Sequence, residues 1–286
     1  MTPKTKKLLL ASLREDVGRG DITTEALILK GVQAEAVIFA KSYGVFCGRE
    51  VAETIIKLAD PRLKIHWHKK DGDLLKSGQT ICKIKGPAKS ILKAERTALN
   101  FLGKLSGIST LTHEFANRVK GTRAKIYDTR KTTALWRELE KHAVRIGGGY
   151  NHRMGLWDQG FVKDNHWQLA RDSKQVAKKI LSLKSKNWVV EISRKNLPRL
   201  EAILKGEPKI ILLDNFSPEQ LKREIPAIQR LSRKLDVYPE LEASGGINLR
   251  NVRQIARTGV KRISIGAITH SAPSLDFSLE VKKLSL

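Results

Sequence analysis

Residues 209–246, KIILLDNFSPEQLKREIPAIQRLSRKLDVYPELEASGG, decide the fold. The apolar run at 209–214 reads as a strand. An amphipathic helix is expected over 218–235, and a second short strand at 241–244 ends in Ser244-Gly245-Gly246. Strand, helix and strand at this spacing imply a parallel sheet, since parallel neighbours need a long crossover. The rhythm continues both ways. Strand-like runs occur at 124–128 (AKIYD), 161–164 (FVKD), 188–192 (WVVEI) and 262–266 (RISIG), with helices expected at 173–183, 197–206 and 248–259. A seventh strand is expected near AVRIGG, 143–148. The fold class is therefore α/β, and such folds place function at the C-terminal ends of their strands.

The first part of the chain has another texture. A helix is expected at 4–14, strands at 34–40, 44–48 and 63–68, a helix at 49–59 and a β-ribbon at 71–87. That ribbon resembles the hammerhead of biotinyl and lipoyl carriers, but Lys76 lacks the flanks of a modified lysine and is read as structural. A long helix spans 91–120, with Gly107 expected to bend or break it. Arg96 lies off its apolar stripe, where the residues alone do not distinguish it from Arg118. In the tail, 271–286, LDFSLEV alternates as a strand would, and it is expected to return to the first domain. The expected division is 1–110 with 271–286, and 111–270.

With 286 residues and a 41% hydrophobic content, the chain can bury a sizeable core. No run approaches the roughly 18 apolar residues of a membrane helix. Arg14, Glu15 and Asp16 interrupt the N-terminal apolar patch, so no signal peptide is expected. Cys47 and Cys82 are too few for a disulfide framework, and a reducing, cytoplasmic setting fits. The net charge of +25 raises the question of nucleic acid. Residues 1–110 carry 20 Lys/Arg against 11 Asp/Glu, and 111–286 carry 34 against 18. That even spread, without a basic tail or stripe, argues against a nucleic-acid partner and favours anionic small molecules. His66 and His68 share one face of a strand but lack further ligands nearby, so they read as solvent-facing rather than as a metal pair.

The strand-end loops carry the chemistry. Thr129-Arg130-Lys131, Asn151-His152-Arg153 and Lys163 bring five positive or potentially positive groups to one rim. Arginine matches carboxylate and phosphate forks, while lysine supplies a point charge. So many cations imply a substrate with several negative charges. Glu191 and Asp214 end neighbouring strands. They could hold a metal, accept sugar hydroxyls or stabilise a developing positive centre. Asp214 also precedes Asn215-Phe216-Ser217-Pro218, and helix capping is its alternative role. The loops at 244–246 and 264–271 suit a phosphate, held by backbone N–H groups. From the residues alone, this is a barrel enzyme for a multiply anionic, phosphate-bearing small molecule.

Longer motifs narrow the reading. DTRKTT (128–133), LEKHAV (139–144), GGGYNHRMGLWD (147–158) and VKDNH (162–166) stand between AERTALNFLGKLSGIST (94–110) and LLDNFSPE (212–219), LEASGGI (241–247) and SIGAITHS (264–271). In this order, and from EDVGRGDIT at 15–23 to the tail, the chain resembles the quinolinate phosphoribosyltransferases. The resemblance implies an N-terminal α/β sandwich and an incomplete, seven-stranded α/β barrel of the type II phosphoribosyltransferase kind. It implies decarboxylating transfer from phosphoribosyl pyrophosphate to quinolinate with Mg²⁺, giving nicotinate mononucleotide, pyrophosphate and CO₂ in de novo NAD biosynthesis. It also implies a homodimer sharing its active sites, with further assembly to a hexamer left open.

By the same resemblance, Arg96 reaches the partner's site. Thr129, Arg130, Lys131, His152, Arg153 and Lys163 hold quinolinate, with Lys131 near the reacting centre. Glu191 and Asp214 serve the ribose or the oxocarbenium-like centre, close to a Mg²⁺ carried by pyrophosphate and with no protein ligand assigned. Ser244, Gly245, Gly246, Ile265, Gly266, Ala267 and His270 surround the ribose and 5′-phosphate. Three departures stand out. Ala134-Leu135 replaces the usual Pro-Gly, Val190-Glu191-Ile192-Ser193 replaces VEVE, and Arg194-Lys195 looks inserted before Asn196-Leu197. A related transferase acting on nicotinate, or a molybdenum-operon paralogue, is the enzymatic alternative, disfavoured by the intact NHR and KDNH motifs.

Overall fold

The computed structural model describes residues 1–170, 173–182 and 187–285. Its strands are β1 (Gln33–Ala40), β2 (Gly44–Val45), β3 (Lys64–Trp67), β4 (Leu74–Leu75), β5 (Thr80–Pro87), β6 (Lys125–Tyr127), β7 (Gly160–Val162), β8 (Trp188–Ile192), β9 (Ile210–Asp214), β10 (Glu240–Ser244), β11 (Arg262–Ser264) and β12 (Phe277–Ser285). The chain forms two compact units: Met1–His113 with Thr132–Gly148 and Thr269–Leu286, and Glu114–Lys131 with Gly149–Ile268. Leu183 and Leu286, the ends of two expected segments, lie outside the described residues.

The first unit holds a four-stranded antiparallel sheet in the order β12-β1-β5-β3, and the small pair β2-β4. Its alternation buries Ala34, Ala36, Ile38 and Ala40 on one face of β1. The helix Arg49–Ala59 presents Val51, Ala52, Ile55 and Ile56 to the core. The tail pairs with β1, from Phe277 opposite Ala40 onward.

Gly107 does not break the long helix, which runs unbroken over Ala88–Val119. A β-carbon there would land on the Pro273 carbonyl oxygen. The glycine is needed for close backbone approach rather than for a bend.

Residues 132–148, expected in the barrel, belong to the first unit. Trp136 stacks on Phe101 with centroids 4.1 Å apart. Glu138 accepts hydrogen bonds from Thr2 and Thr5, and Ser109 donates to the Ala143 carbonyl. These contacts outweigh sequence adjacency to the barrel strands. Leu135, in the place of the family's glycine, takes φ +66°, the left-handed region. That conformation costs a non-glycine residue about 1–2 kcal/mol.

The second unit is built on a parallel sheet in the order β6-β11-β10-β9-β8-β7. The seventh strand is not AVRIGG. Those residues close the helix Arg137–Ile146, and the seventh position is reduced to a single parallel bridge between Tyr150 and Tyr127. Period-two alternation sets the inner face. Val189 and Glu191 share a side, as do Ile210, Leu212 and Asp214, and Glu242 and Ser244. Val189, Ile210 and Leu212 form a buried cluster with Phe161 packed against it, leaving the acids nearer the C-terminal ends. The Arg194-Lys195 departure opens a 3-10 turn, Arg194–Arg199, directly after β8.

Gly107→Ala is expected to destabilise the protein by about 1–3 kcal/mol, the usual range for overpacking. A lower midpoint in urea unfolding with an unchanged slope would show it; an unchanged midpoint would refute the close-approach account.

Candidate active site

The site is assembled from the ends of successive strands of the second unit. Around the rim, the Tyr150 bridge carries Asn151, His152 and Arg153, and β6 leads into Thr129, Arg130 and Lys131. Next come Gly266 after β11, Ser244-Gly245-Gly246 at β10, Asp214 at β9, Glu191 on β8 and Lys163 after β7. The rim is open between β7 and the Tyr150 bridge, and side chains span that gap. The Arg153 guanidinium lies 4.8 Å from the centroid of the Phe161 ring, and its Nη1 donates to the Gln159 carbonyl at 2.8 Å. Lys163 Nζ lies 4.6 Å from the same ring, and the His152 ring is 5.6 Å away. One aromatic ring therefore gathers three basic side chains.

A buried acid orients the Asn-His-Arg motif. Asp128, fully buried just past β6, accepts from the His152 amide at 2.7 Å and from Asn151 Nδ2 at 2.6 Å. Behind it, Glu242 is buried, with Oε1 3.4 Å from His152 Nε2 and Oε2 2.6 Å from Arg262 Nε. Burial alone would raise the Glu242 pKa, but His152 and Arg262 together hold it below the usual carboxylate value. His152 Nδ1 accepts the Arg153 amide at 2.9 Å, so both ring nitrogens face protein groups. Arg153 is held below its ordinary pKa by desolvation first and by neighbouring Arg130 second. Asp128, Glu242 and Phe161 were missed by motif reading. Alternation on β10 was the available signal for Glu242, whose side points inward with Ser244.

The two expected acids stand close enough to feel each other. Asp214 is raised above its ordinary pKa, first by burial and then by the Glu191 charge, with Lys163 opposing. Lys163 Nζ contacts Glu191 Oε2 at 3.1 Å. Asp214 is not the helix cap. Ser217 caps the helix Pro218–Lys234 in a reciprocal box with Gln220, and Asp214 Oδ2 instead accepts from Asn215 Nδ2 at 2.7 Å.

Gly245 and Gly246 both have positive φ, and a β-carbon at Gly245 would collide with the Asn215 side chain. The loop after β11 opens the short helix Ala267–His270, with Ile265 donating its amide to the Tyr127 carbonyl at 2.9 Å. Lys131 is exposed, and its amide donates to Thr129 Oγ1 at 3.0 Å. Arg96 is exposed on the long helix, and His270, exposed, has its Nδ1 2.6 Å from Ser271 Oγ; both belong to the first unit.

Asp214→Asn keeps the bond from Asn215 and removes a charge that burial and Glu191 disfavour. Because the folded-state pKa of Asp214 is raised, its charged form costs stability at neutral pH. The substitution is expected to raise the melting temperature there while lowering activity. The gain should disappear as pH falls through the raised pKa and below the ordinary 3.8. A melting temperature lowered by the substitution at pH 7 would contradict this.

Known proteins share the sequence and the fold of this chain. Residues 21–106 match the family described as quinolinate phosphoribosyl transferase, N-terminal domain, and residues 108–280 match its C-terminal domain. The chain is 38% identical over 277 residues to a probable nicotinate-nucleotide pyrophosphorylase [carboxylating] of Bacillus subtilis, covering 96% of this chain and 93% of that protein. It is 38% identical over 273 residues to the nicotinate-nucleotide pyrophosphorylase [carboxylating] of Mycobacterium leprae, covering 94% of each. The solved nicotinate-nucleotide pyrophosphorylase of Francisella tularensis superposes with a TM-score of 0.89 at 34% identity, covering 99% of this chain and 98% of that one. Two matched domains, full-length relatives and a shared fold make the chain a member of the quinolinate phosphoribosyltransferase family.

Proposed function

We propose that the protein transfers the phosphoribosyl group of phosphoribosyl pyrophosphate to quinolinate, releasing pyrophosphate and CO₂ and forming nicotinate mononucleotide for NAD biosynthesis. The carrying observation is the rim itself. Cations line the β6, Tyr150 and β7 side, and two coupled carboxylates face them from β8 and β9. In the reaction the pyridine nitrogen attacks the anomeric carbon as the bond to pyrophosphate breaks. Positive charge grows on the ribose, and Glu191 and Asp214 are the groups suited to stabilise it. The quaternised ring then accepts the electron pair of the departing 2-carboxylate as CO₂ leaves, and a proton takes its place.

Arg130, Arg153, Lys131 and Lys163 suit a dicarboxylate, and Thr129 shapes their loop. His152, engaged at both ring nitrogens, serves best by aiming Arg153. The positive-φ glycines after Ser244, with Ile265, Gly266 and Ala267 after β11, suit a 5′-phosphate. Lys163 already engages Glu191, so these acids are poorly disposed as a direct metal cage; they fit a Mg²⁺ delivered by pyrophosphate. That ion would neutralise the leaving group. A homodimer with Arg96 entering the partner's site completes the reading, and the exposure of Arg96 supports it. No helix among the described residues is long and apolar enough to cross a membrane.

Purified protein mixed with quinolinate, phosphoribosyl pyrophosphate and Mg²⁺ should yield nicotinate mononucleotide and CO₂. No product, with turnover on nicotinate instead, would sink the reading. Lys163→Ala should lower kcat/KM by about 10²-fold or more, the scale of losing a positioned charge in a dry site. Arg96→Ala and Lys163→Ala subunits, each inactive alone, should regain activity when mixed. A mixture as inactive as its components would remove the shared site.

A further inference from the structure

A second cluster of reactive side chains lies within the first unit. Cys47, Asp71 and His142 come from three separated segments, yet their ligand atoms lie within 4.8 Å of one another. Cys47 ends the turn before the helix Arg49–Ala59, Asp71 heads the β-ribbon, and His142 lies on the helix Arg137–Ile146. We propose that these three side chains form a binding site for a thiophilic divalent cation of the Zn²⁺ type, in addition to the Mg²⁺ that the transferase reaction would use.

The arrangement of atoms favours coordination over a plain hydrogen bond. Asp71 Oδ1 is committed to the amides of Gly48 and Arg49, at 3.0 Å each. Its Oδ2 is left facing His142 Nε2 at 3.4 Å. That separation is long for a charge-assisted bond. For this pair it matches the spacing of about 3.3–3.7 Å that two ligands on one tetrahedral zinc ion would show, and the Cys47 sulfur, within 4.8 Å of both, would close on the ion by a small shift. Thiolate, imidazole and carboxylate leave a fourth position for water. Access is also provided for. Cys47 is fully buried and forms the floor, while the Asp71 and His142 side chains are 21% and 42% exposed and form the mouth. A thiol placed this way cannot reach a bulky electrophile, but a metal ion can reach it.

Cys47 is buried, and a buried thiol without a metal carries its proton. Coordination breaks the S–H bond, forms an S–metal bond and releases one proton to solvent. Affinity should fall as pH is lowered, since protons compete with the metal for thiolate and imidazole alike. Soft sulfur selects Zn²⁺ or Co²⁺ over Mg²⁺, so the Mg²⁺ of an assay should not compete.

Titration of the full-length protein with Co²⁺ tests the site. One equivalent should produce a thiolate-to-cobalt charge-transfer absorption, resist excess Mg²⁺ and be displaced by Zn²⁺. Cys47→Ser and His142→Ala should each abolish the band. The second substitution removes a half-exposed ring, and its effect can be read even if Cys47→Ser folds poorly. His66→Ala with His68→Ala, which removes the exposed histidine pair on and just after β3, should leave the band intact. The proposal is overturned if saturating Co²⁺ gives no thiolate band, or if the band survives His142→Ala.

Discussion

The barrel unit depends on a carboxylate that no substrate is expected to touch. Glu242 is buried between Arg262 and His152, and Arg262 in turn lies 3.6 Å from the centroid of the Tyr127 ring. A buried ion chain of this kind is weak evidence of net stability, since desolvation opposes the Coulomb gain. Its value is in placement. Removing Glu242 would take the shared carboxylate from Arg262 and His152, and breaking a buried pair costs about 3–5 kcal/mol. Two strands, β10 and β11, thereby fix the imidazole that accepts the Arg153 amide. Asp128 holds the same motif from β6. A short non-strand segment, Asn151–Arg153, is consequently as tightly set as if it were a full seventh strand.

The rim balances two demands that pull against each other. Cations must hold a dianion, and acids must stand by to meet a positive centre. Placing both on one rim leads to partial mutual neutralisation, seen where Lys163 engages Glu191. It also leaves Asp214 raised above its ordinary pKa, by burial first and by the Glu191 charge second. Phe161 eases the other side of the problem. Its face attracts Arg153 and Lys163 without adding negative charge, so the two cations converge on one ring.

Much of this was legible in the chain itself. Six strands alternate with helices in the sequence as they do in the structure, because apolar runs buried on both faces keep a strong signal. The strand-end cations and acids could be read for the same reason. Other features could not. AVRIGG has the apolar content of a strand, but Leu139, Ala143 and Val144 also satisfy helical spacing, and the helix won through its packing on the first unit. Gly107 reads as a breaker until the distant Pro273 is known to cross it. Alternation could place Glu242 on the inner face, but its partners Arg262 and His152, far away in sequence, could not be named. Each miss concerns a partner remote along the chain, which local periodicity does not report.

The way the first sheet is closed has a consequence for synthesis. β1 is made early, but its neighbour β12 is the last strand of the chain. The first unit also takes in the excursion 132–148, flanked on both sides by segments of the barrel. Folding of the two units in order of emergence from the ribosome is therefore excluded for the first one. It waits with an unpaired strand edge until the barrel has been translated. An exposed edge of that kind is a template for pairing with other chains. The high positive charge distributed along this chain, by keeping nascent copies apart, would work against that hazard during the wait.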